Sequence, residues 1–276
     1  MSLLSKDRRS LGLAYAILTL AAFASIFPIL WIIGISLKTQ VDAFAMPPKW
    51  LFTPIWDNYA KVWATSGFVK AFFNSVWVSL ASNLLAFAIG IPAAYALNRR
   101  HVPGRAVILA WLLLSYMLPE FLYVIPVYGV FQQIGLYDNV FGLALIYQAF
   151  TLPFTIWMMR AFFAEVPYAL TEAAMLEGAG KWRILWTIYV PIAAPGIAAT
   201  AILNTIKIWN ELAIALGLTF DKAQTITLAV AGFRGYASID WGAMSAAAII
   251  EILPMLAFAV LAQRQIVGGL SVGAVK

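Results

Sequence analysis

Long apolar stretches alternate with short polar segments along the whole chain. A helix needs about 20 apolar residues to cross the hydrocarbon core of a membrane. Stretches of this length recur through the sequence, and each ends at a charged segment or at one that contains Pro or Gly. The pattern predicts membrane-spanning helices at about residues 11–37, 71–98, 106–131, 140–163, 192–216 and 241–266.

The first apolar stretch shares two features with a secretory signal peptide. Basic residues precede it, and residues 22–24 (Ala-Phe-Ala) resemble a cleavage site. The apolar run nevertheless continues to Leu37, which is too long for the hydrophobic part of a signal peptide. We therefore expect this stretch to be retained as the first span.

The composition supports a membrane protein and excludes several other classes. The 276 residues are 63% hydrophobic and 11% charged, whereas a soluble domain has about 25% charged residues. The net charge of +6 does not indicate nucleic-acid binding, because basic residues near spans are expected from the positive-inside bias. Cysteine is absent, so disulfides and thiolate metal sites are excluded. The single histidine, His101, falls in a basic loop, so we expect no metal site.

The distribution of Lys and Arg predicts the orientation of the chain. With the N-terminus in the cytoplasm, the cytoplasmic segments hold Lys6, Arg8, Arg9, Arg99, Arg100, Arg105, Arg160, Lys181, Arg183, Arg264 and Lys276. The opposite side then holds the smaller set Lys38, Lys49, Lys61, Lys70, Lys222 and Arg234. The bias places both termini in the cytoplasm, together with the polar segment between the fourth and fifth predicted spans.

That segment, at about residues 165–191, is the long polar segment between spans on the side predicted to be cytoplasmic. It contains Glu172 beside two small residues and breaks at Gly178, a residue type that readily takes the left-handed turn ending a helix. It resumes with Lys181 and Arg183 among tryptophans and aliphatic residues. This predicts a helix–turn–helix at the membrane surface, whose small side chains allow another protein's backbone to approach.

The sequence contains no motif for an energy-yielding or hydrolytic reaction. A GxxxxGK[ST] nucleotide-binding loop is absent, as are HExxH and GxSxG. We therefore expect a protein that is not an enzyme. The energy for any transport must come from an ion gradient or from another chain.

Four ionisable residues fall in or near the predicted spans, where charges are costly and usually functional: Glu120, Lys207, Glu211 and Glu251. Glu211 follows Lys207 by four residues, so the two side chains would pair on one helical face. Such a pair either lines a polar path or neutralises itself inside the bundle, and the sequence leaves both interpretations open. An ion-coupled secondary transporter that uses Lys207 and Glu211 is the alternative function.

A second feature favours a polar path near the third span. Glu120 follows Pro119, whose ring disrupts the helix, and irregular backbone in a membrane usually lines a cavity. Aromatic faces beside carboxylates suit a sugar ligand, although they also suit helix packing. The residues predicted to line a translocation path are Glu120, Tyr123, Trp209, Asn210, Glu211 and Glu251.

The spacing in the surface segment is specific. Glu172-Ala173-Ala174 is followed after three residues by Gly178, then after nine residues by Ile188, and then by Val190-Pro191. This resembles the EAA loop in the permeases of ABC importers, with Val190 in place of the usual Leu. Segments at residues 125–128, 135–139, 188–211, 225–230 and 262–276 are similar to the second, maltose-type (MalG-like) permease of carbohydrate importers.

The resemblance implies an all-α membrane protein with the type I ABC importer permease fold, formed by one transmembrane domain over residues 1–276. It implies a second, homologous permease, a cytoplasmic ATPase dimer that binds ATP and Mg, an extracytoplasmic solute-binding protein and a sugar-like substrate. This chain itself would bind no cofactor and would lie in the bacterial inner membrane. The residues implied in coupling to the ATPase are Glu172, Ala173, Ala174, Gly178, Ala179, Ile188 and Pro191.

Overall fold

The predicted apolar stretches fold as helices in the computed structural model, which describes residues 3–65, 67–98, 102–233 and 239–274. The helices of the first half are α1 (Leu3–Ser36), α2 (Gln40–Ala43), α3 (Asp57–Ala64), α4 (Phe68–Asn98), α5 (Arg105–Met117), α6 (Val124–Gln133) and α7 (Val140–Ile146). Those of the second half are α8 (Gln148–Ala164), α9 (Tyr168–Leu176), α10 (Lys181–Ile184), α11 (Val190–Ile192), α12 (Ala194–Trp209), α13 (Ala213–Leu218), α14 (Ile226–Ala231) and α15 (Trp241–Ala274).

Within these described ranges, three helices are long and apolar enough to cross a membrane, at Ser10–Ser36, Phe68–Asn98 and Trp241–Val260. Three bent helix pairs also pass this test together, which gives up to six spans if each pair is one span. That number agrees with the six spans predicted from the sequence.

The bends lie at identifiable breaks in the chain. The first pair bends by 98° between Met117 and Glu120, where Pro119 has no N–H to continue the helix. The third bends by 75° before α12. The sequence predicts one span over residues 192–216, but α12 ends at Trp209 and α13 begins only at Ala213.

The chain divides into two compact units, Met1–Ser66 with Val230–Ile252, and Gly67–Ala229 with Leu253–Lys276. In the first unit, Asn58 is buried and its side-chain amide donates to the carbonyls of Ser36 (2.9 Å) and Lys38 (2.8 Å). These bonds fix the chain where α1 ends. The side chains of α1 that are described, from Ser10 onward, lie exposed over most of its length.

The second unit contains α4, α8 and α12, which pack against one another. Hydrogen bonds link these helices inside the bundle: Asn204 donates to Thr155 (2.9 Å), and Asn83 donates to Thr205 (3.0 Å). Gln148 donates to a carbonyl of α4 at 3.1 Å. Polar bonds of this kind hold membrane helices together, because lipid offers these groups no partners.

Apolar side chains of the second unit form two clusters. One contains Tyr95, Phe163, Ile184 and Tyr189, at the end of the bundle that carries residues 165–191. The other contains Phe131, Leu143, Tyr147, Phe150, Ile208, Ile214 and Leu218. The first cluster includes side chains of residues 165–191, and the second includes Leu218 and Ala223, on either side of the loop that follows α13.

Several residues of the orientation argument lie outside the described part of the chain. They are Arg99, Arg100, Arg234 and Lys276, and the side chains of residues 3–9 and 261–274 are also not described. His101, on which the expectation of no metal site was based, likewise lies outside the described residues.

Candidate functional sites

The surface segment begins with α9, as the sequence predicts. Pro167 precedes the helix with φ −58°, and the helix Tyr168–Leu176 consists mainly of strong helix formers. Its exposed side includes large apolar residues, with Tyr168 at 63% and Leu176 at 90% exposure. An apolar helix face that its own chain leaves uncovered is typical of a protein-binding surface.

The turn after α9 follows the hydrogen-bond pattern of a Schellman motif. The Ala179 N–H donates to the Ala174 carbonyl (2.9 Å), and the Gly178 N–H donates to the Met175 carbonyl (3.0 Å). Gly178 has φ +80°, the left-handed conformation that only glycine adopts at little cost. The predicted helix-ending turn at Gly178 is confirmed.

The second half of the segment runs into the next span without leaving helical conformation until Ala193. It starts as α10, widens to a single π-helical stretch at Leu185–Tyr189, and continues as α11. Ile184, Leu185 and Tyr189 are buried, whereas Trp182 and Trp186 are exposed. The segment is therefore amphipathic, as predicted, with its aliphatic side against the bundle.

Tyr189 anchors the segment to two spans at once. Its ring packs edge-on against Tyr95 of α4 (4.9 Å between centroids) and against Phe163 of α8 (5.4 Å). Its hydroxyl lies 3.1 Å from the hydroxyl of Thr171, which belongs to α9. A force applied to α9 therefore has a direct packed route to α4 and α8.

The seven residues that the EAA pattern implies in coupling divide into two groups. Glu172, Ala173, Gly178 and Pro191 are exposed. The partly buried residues, which pack against the Tyr95–Tyr189 cluster, are Ala174, Ala179 and Ile188. Glu172 is the fifth residue of α9, outside its first turn, so an interaction with the N-terminal helix dipole contributes little there.

A second candidate site lies at the break between α5 and α6. Glu120 begins a short 3₁₀ turn (Glu120–Tyr123), and its carboxylate lies 3.0 Å from the ammonium of Lys207 on α12. The same ammonium lies over the rings of Tyr116 (4.5 Å) and Phe150 (4.6 Å). Both charged side chains are partly exposed, so the pair is polar, accessible and neutral as a unit.

Glu211 corrects a sequence-based expectation, because it does not pair with Lys207. Its buried carboxylate accepts hydrogen bonds from the Tyr147 hydroxyl (2.8 Å) and from the backbone N–H groups of Ile214 (2.7 Å) and Ala215 (3.1 Å). The reason is that α12 ends at Trp209, so Glu211 lies off that helix and caps the next one.

The other residues predicted to line a path lie in different surroundings. Trp209 is buried, with its ring edge-on to Phe72 at 5.7 Å, whereas Asn210 is exposed and donates to the Ile206 carbonyl at 2.7 Å. Tyr123 donates to the Ser115 carbonyl (2.8 Å) across the α5–α6 break. Glu251 is partly buried on α15 in the first unit. The geometry brings together Glu120 and Lys207, which the sequence did not join.

Asp138, to which no motif in the sequence assigns a role, holds a distant loop with its carboxylate. Four successive backbone N–H groups, at residues 220–223, donate to its two oxygens at 2.9–3.2 Å. In addition, the Asp138 N–H donates to the Leu218 carbonyl (3.0 Å). We call this arrangement the Asp138 clasp. Its partner residues lie more than 80 positions away, so no local spacing in the sequence could reveal it.

Side chains of α4 hold the other side of the same loop. Asn74 donates to the carbonyls of Lys222 (2.9 Å) and Gln224 (3.0 Å), and Ser75 accepts from the Ile226 N–H (2.8 Å). Partial burial alone would raise the pKa of the Asp138 carboxyl, but the four N–H donors outweigh it and hold the pKa below its usual value. The clasp is therefore charged and closed at neutral pH.

The described residues contain no group of three or more His, Asp or Glu side chains that could hold a metal ion. The structure thus has up to six spans, a polar break in one of them, and a surface segment whose outer side is exposed. These features are typical of a polytopic membrane permease.

Comparison with known proteins identifies the kind of permease. Residues 86–271 match the family described as binding-protein-dependent transport system inner membrane component. The chain belongs to this family and is the non-catalytic membrane permease of an ABC importer. It is accordingly a multi-pass inner-membrane protein.

Curated relatives cover nearly the whole chain. It is 35% identical to the diacetylchitobiose uptake system permease protein NgcG of Streptomyces coelicolor, over 98% of this chain and 90% of that protein. It is 37% identical to the trehalose transport system permease protein SugB of Mycobacterium tuberculosis, over 94% and 95% of the two chains. The predicted membership of the MalG-like group is confirmed.

A solved structure supports the fold. A chain of a bacterial ABC transporter involved in the import of alginate superposes with a TM-score of 0.78 at 21% identity, covering 94% of this chain and 97% of that one. The predicted all-α permease fold is confirmed.

Proposed function

We propose that residues 165–191 dock a cytoplasmic ATPase and transmit its movement to the spans. The observation that carries this proposal is the exposed side of α9, which presents Tyr168, Leu176 and Glu172 above a buried anchor. The carboxylate of Glu172 suits a basic residue of the partner and fixes the register of docking. The closed turn at Gly178 keeps the two helices of the segment in one arrangement.

In this proposal, ATP and Mg are bound by a dimer of ATPase subunits and none by this chain. Closure of that dimer moves α9, and Tyr189 passes the movement to α4 and α8 through its contacts with Tyr95 and Phe163. Such rigid-body movement of packed helices opens the path alternately to the two sides of the membrane. A second, homologous permease forms the other half of the path.

A charge reversal tests the docking surface. Glu172→Lys is expected to leave the permease in the membrane but to reduce co-purification of the ATPase and substrate uptake. Glu165→Lys is the matched control, since Glu165 is also exposed but lies before α9, outside the helix that presents the docking side. Gly178→Asp should act like Glu172→Lys. Equal ATPase recovery with Glu172→Lys and with the control would contradict the proposal.

We further propose that the substrate is a neutral sugar or sugar derivative delivered by an extracytoplasmic solute-binding protein. Relatives named for diacetylchitobiose and trehalose transport support this class. The Glu120–Lys207 pair supports it too, because a site without net charge neither attracts an ion nor repels a neutral ligand. The alternative, an ion-coupled carrier, required Lys207 and Glu211 to form a pair. Lys207 pairs with Glu120 instead, and Glu211 is buried as a helix cap.

The proposed path includes Glu120 and Asn210, both accessible at the surface of the second unit. Glu120→Ala and Asn210→Ala should each reduce sugar uptake in complexes that still assemble and hydrolyse ATP. Gln133→Ala is the control, since this exposed amide ends α6 away from the pair. Unchanged uptake in both variants would remove these residues from the path.

The proposed orientation places residues 165–191 and both termini in the cytoplasm. The chain has no cysteine, so single cysteines can report the side directly. Glu177→Cys should be protected from a membrane-impermeant thiol reagent in intact cells, and Asp221→Cys should react. The opposite labelling pattern would reverse the orientation and separate the segment from any cytoplasmic ATPase.

A further inference from the structure

The ammonium of Lys207 is held in place by aromatic rings of two other helices. It lies over the rings of Tyr116 on α5 (4.5 Å) and Phe150 on α8 (4.6 Å). These rings are themselves packed, since Tyr116 stacks on Phe154 at 6.1 Å and Phe150 lies against Tyr147 at 5.3 Å. The faces of aromatic rings attract a cation. The position of the ammonium is therefore supported by contacts that do not involve its carboxylate partner.

The carboxylate of Glu120 is the less constrained member of the ion pair. Glu120 begins a 3₁₀ turn of four residues, which follows Pro119 at the bend between α5 and α6. In the part of the chain that the structure describes, the ion pair with Lys207 (3.0 Å) is the polar contact found for this carboxylate. The side chains of Lys207 and Glu120 are 35% and 31% exposed, so a ligand can reach both. Such a ligand replaces Glu120 more easily than it displaces Lys207.

Neutral and anionic ligands meet different conditions at this pair. A neutral hydroxyl group can donate to the carboxylate and accept from the ammonium while the ion pair stays in place. An anionic group instead competes with Glu120 for the single ammonium of Lys207. If the anion displaces the carboxylate, Glu120 loses its cation, and if it does not, two negative charges lie beside one positive charge. Both arrangements disfavour the anion.

We propose that Glu120 determines the charge selectivity of this site by occupying Lys207 as an internal anion. Sugars that carry a carboxylate, phosphate or sulfate group are excluded, whereas sugars that carry only hydroxyl groups are accepted. The inference rests on the proposed function, in which Glu120 lies on the substrate path. Removing the charge of Glu120 would leave Lys207 held by its rings and open to an anionic sugar.

The test compares two probes that differ in one group: methyl glucoside, and methyl glucuronide, in which a carboxylate replaces the CH₂OH group. Saturation-transfer NMR measures their binding to the full-length chain, purified with the permease and ATPase subunits that accompany it. The binding protein is left out, so its own selectivity does not enter. The wild type should bind the glucoside and not the glucuronide. Glu120→Gln should raise the ratio of glucuronide to glucoside binding by about tenfold or more, as expected for one gained charge-assisted hydrogen bond.

Three further variants connect this gain to the ion pair. Glu120→Gln combined with Lys207→Gln should lose the gained glucuronide binding, because the ammonium is gone. Glu120→Asp keeps the negative charge and should keep the exclusion. Glu165→Gln is the matched control for net charge, since Glu165 is exposed and lies outside the site, and it should leave the ratio unchanged. If Glu120→Gln does not assemble, Glu120→Ser also removes the charge and should show the same gain.

The possible failures are distinguishable. Glucoside binding without a gain of glucuronide binding in Glu120→Gln would overturn the charge selectivity and leave the proposed function intact. An equal gain in Glu165→Gln would assign the effect to net charge and overturn the selectivity as well. Binding of neither probe to the wild type or to any variant would count against a sugar site at this pair, and so against the proposed path itself.

Discussion

The two connections at opposite ends of the α7–α8 pair are held by different kinds of interaction. At one end, residues 165–191, the proposed coupling segment, rest on packed rings, with Tyr189 between Tyr95 and Phe163. At the other end, the Asp138 clasp fixes a loop through a carboxylate and successive backbone N–H groups. The first arrangement is mainly apolar, and the second is polar and directional.

This difference is consistent with the function proposed for residues 165–191. Apolar packing is less directional than hydrogen bonding, so in the proposed function residues 165–191 transmit a push while their outer side stays free for a partner. Hydrogen bonds to a charged group require defined angles, so the clasp holds one loop conformation.

Truncating Tyr189 to alanine should damage the coupling end most. Loss of a buried aromatic side chain costs about 3–5 kcal/mol, and the hydroxyl contact with Thr171 is lost as well. Hydrogen exchange should accelerate in residues 171–189 and stay unchanged at residues 220–223. Trp186→Ala, which removes an exposed ring from the same stretch, is the control and should change little. Equal acceleration of exchange at residues 171–189 and at residues 220–223 would mean that the two ends do not unfold independently.

Removing the carboxylate of Asp138 should have the opposite effect on hydrogen exchange, with acceleration at residues 220–223 and no change at residues 171–189. Asp138→Ala leaves four backbone N–H groups without their acceptor, a loss of about 2–3 kcal/mol for charge-assisted bonds, and exchange at residues 220–223 should accelerate. Asp138→Asn keeps one acceptor oxygen and tolerates the positive φ of 52°, so its effect should be smaller. Asp221→Ala is the control, because that side chain is 80% exposed. Unaltered exchange in Asp138→Ala would contradict the clasp.

The sequence predicted the coupling end well because its signals are local. A helix, a glycine turn and an amphipathic stretch each depend on residues within one or two helical turns, as the Schellman bonds around Gly178 show. The apolar stretches that form the long helices are local signals too, whereas the break within residues 192–216 is not. What local patterns could not predict is the sharing of Tyr189 between α4 and α8, which depends on tertiary packing.

The polar site shows where local reasoning fails. The four-residue spacing of Lys207 and Glu211 predicts a pair only if one helix contains both, and α12 ends between them. Lys207 instead reaches Glu120, 87 positions earlier, and Glu211 reaches Tyr147. Asp138 is the same kind of case, since its partners become neighbours only through the fold.

Replacing Gly178 tests whether the turn at the coupling end depends on backbone conformation alone. A Cβ at this position meets no atom within 4 Å, but φ is +80°, so Gly178→Ala should cost about 1–2 kcal/mol. Gly180 is equally open, but has φ −72°. Gly180→Ala avoids the positive-φ strain and loses only the preference of this N-cap position for glycine over alanine, so it should cost less than Gly178→Ala. Thermal unfolding of the two variants in detergent provides the comparison, and equal melting temperatures would show that the turn is not constrained.

The smallest effect is expected from pH, and it should appear only at the Asp138 clasp. The pKa of Asp138 is lowered by the N–H donors of residues 220–223, so the folded state favours the charged form. The stabilisation is therefore complete above the unfolded pKa of about 4 and is lost as pH falls through the lower folded pKa. Exchange protection at residues 220–223, corrected for intrinsic rates, should stay constant from about pH 8 to 5 and fall below about 4. Asp138→Asn cannot titrate and should show no such fall. A loss of protection between pH 7 and 5 in the wild type would mean that the backbone donors do not hold this carboxylate in its charged form.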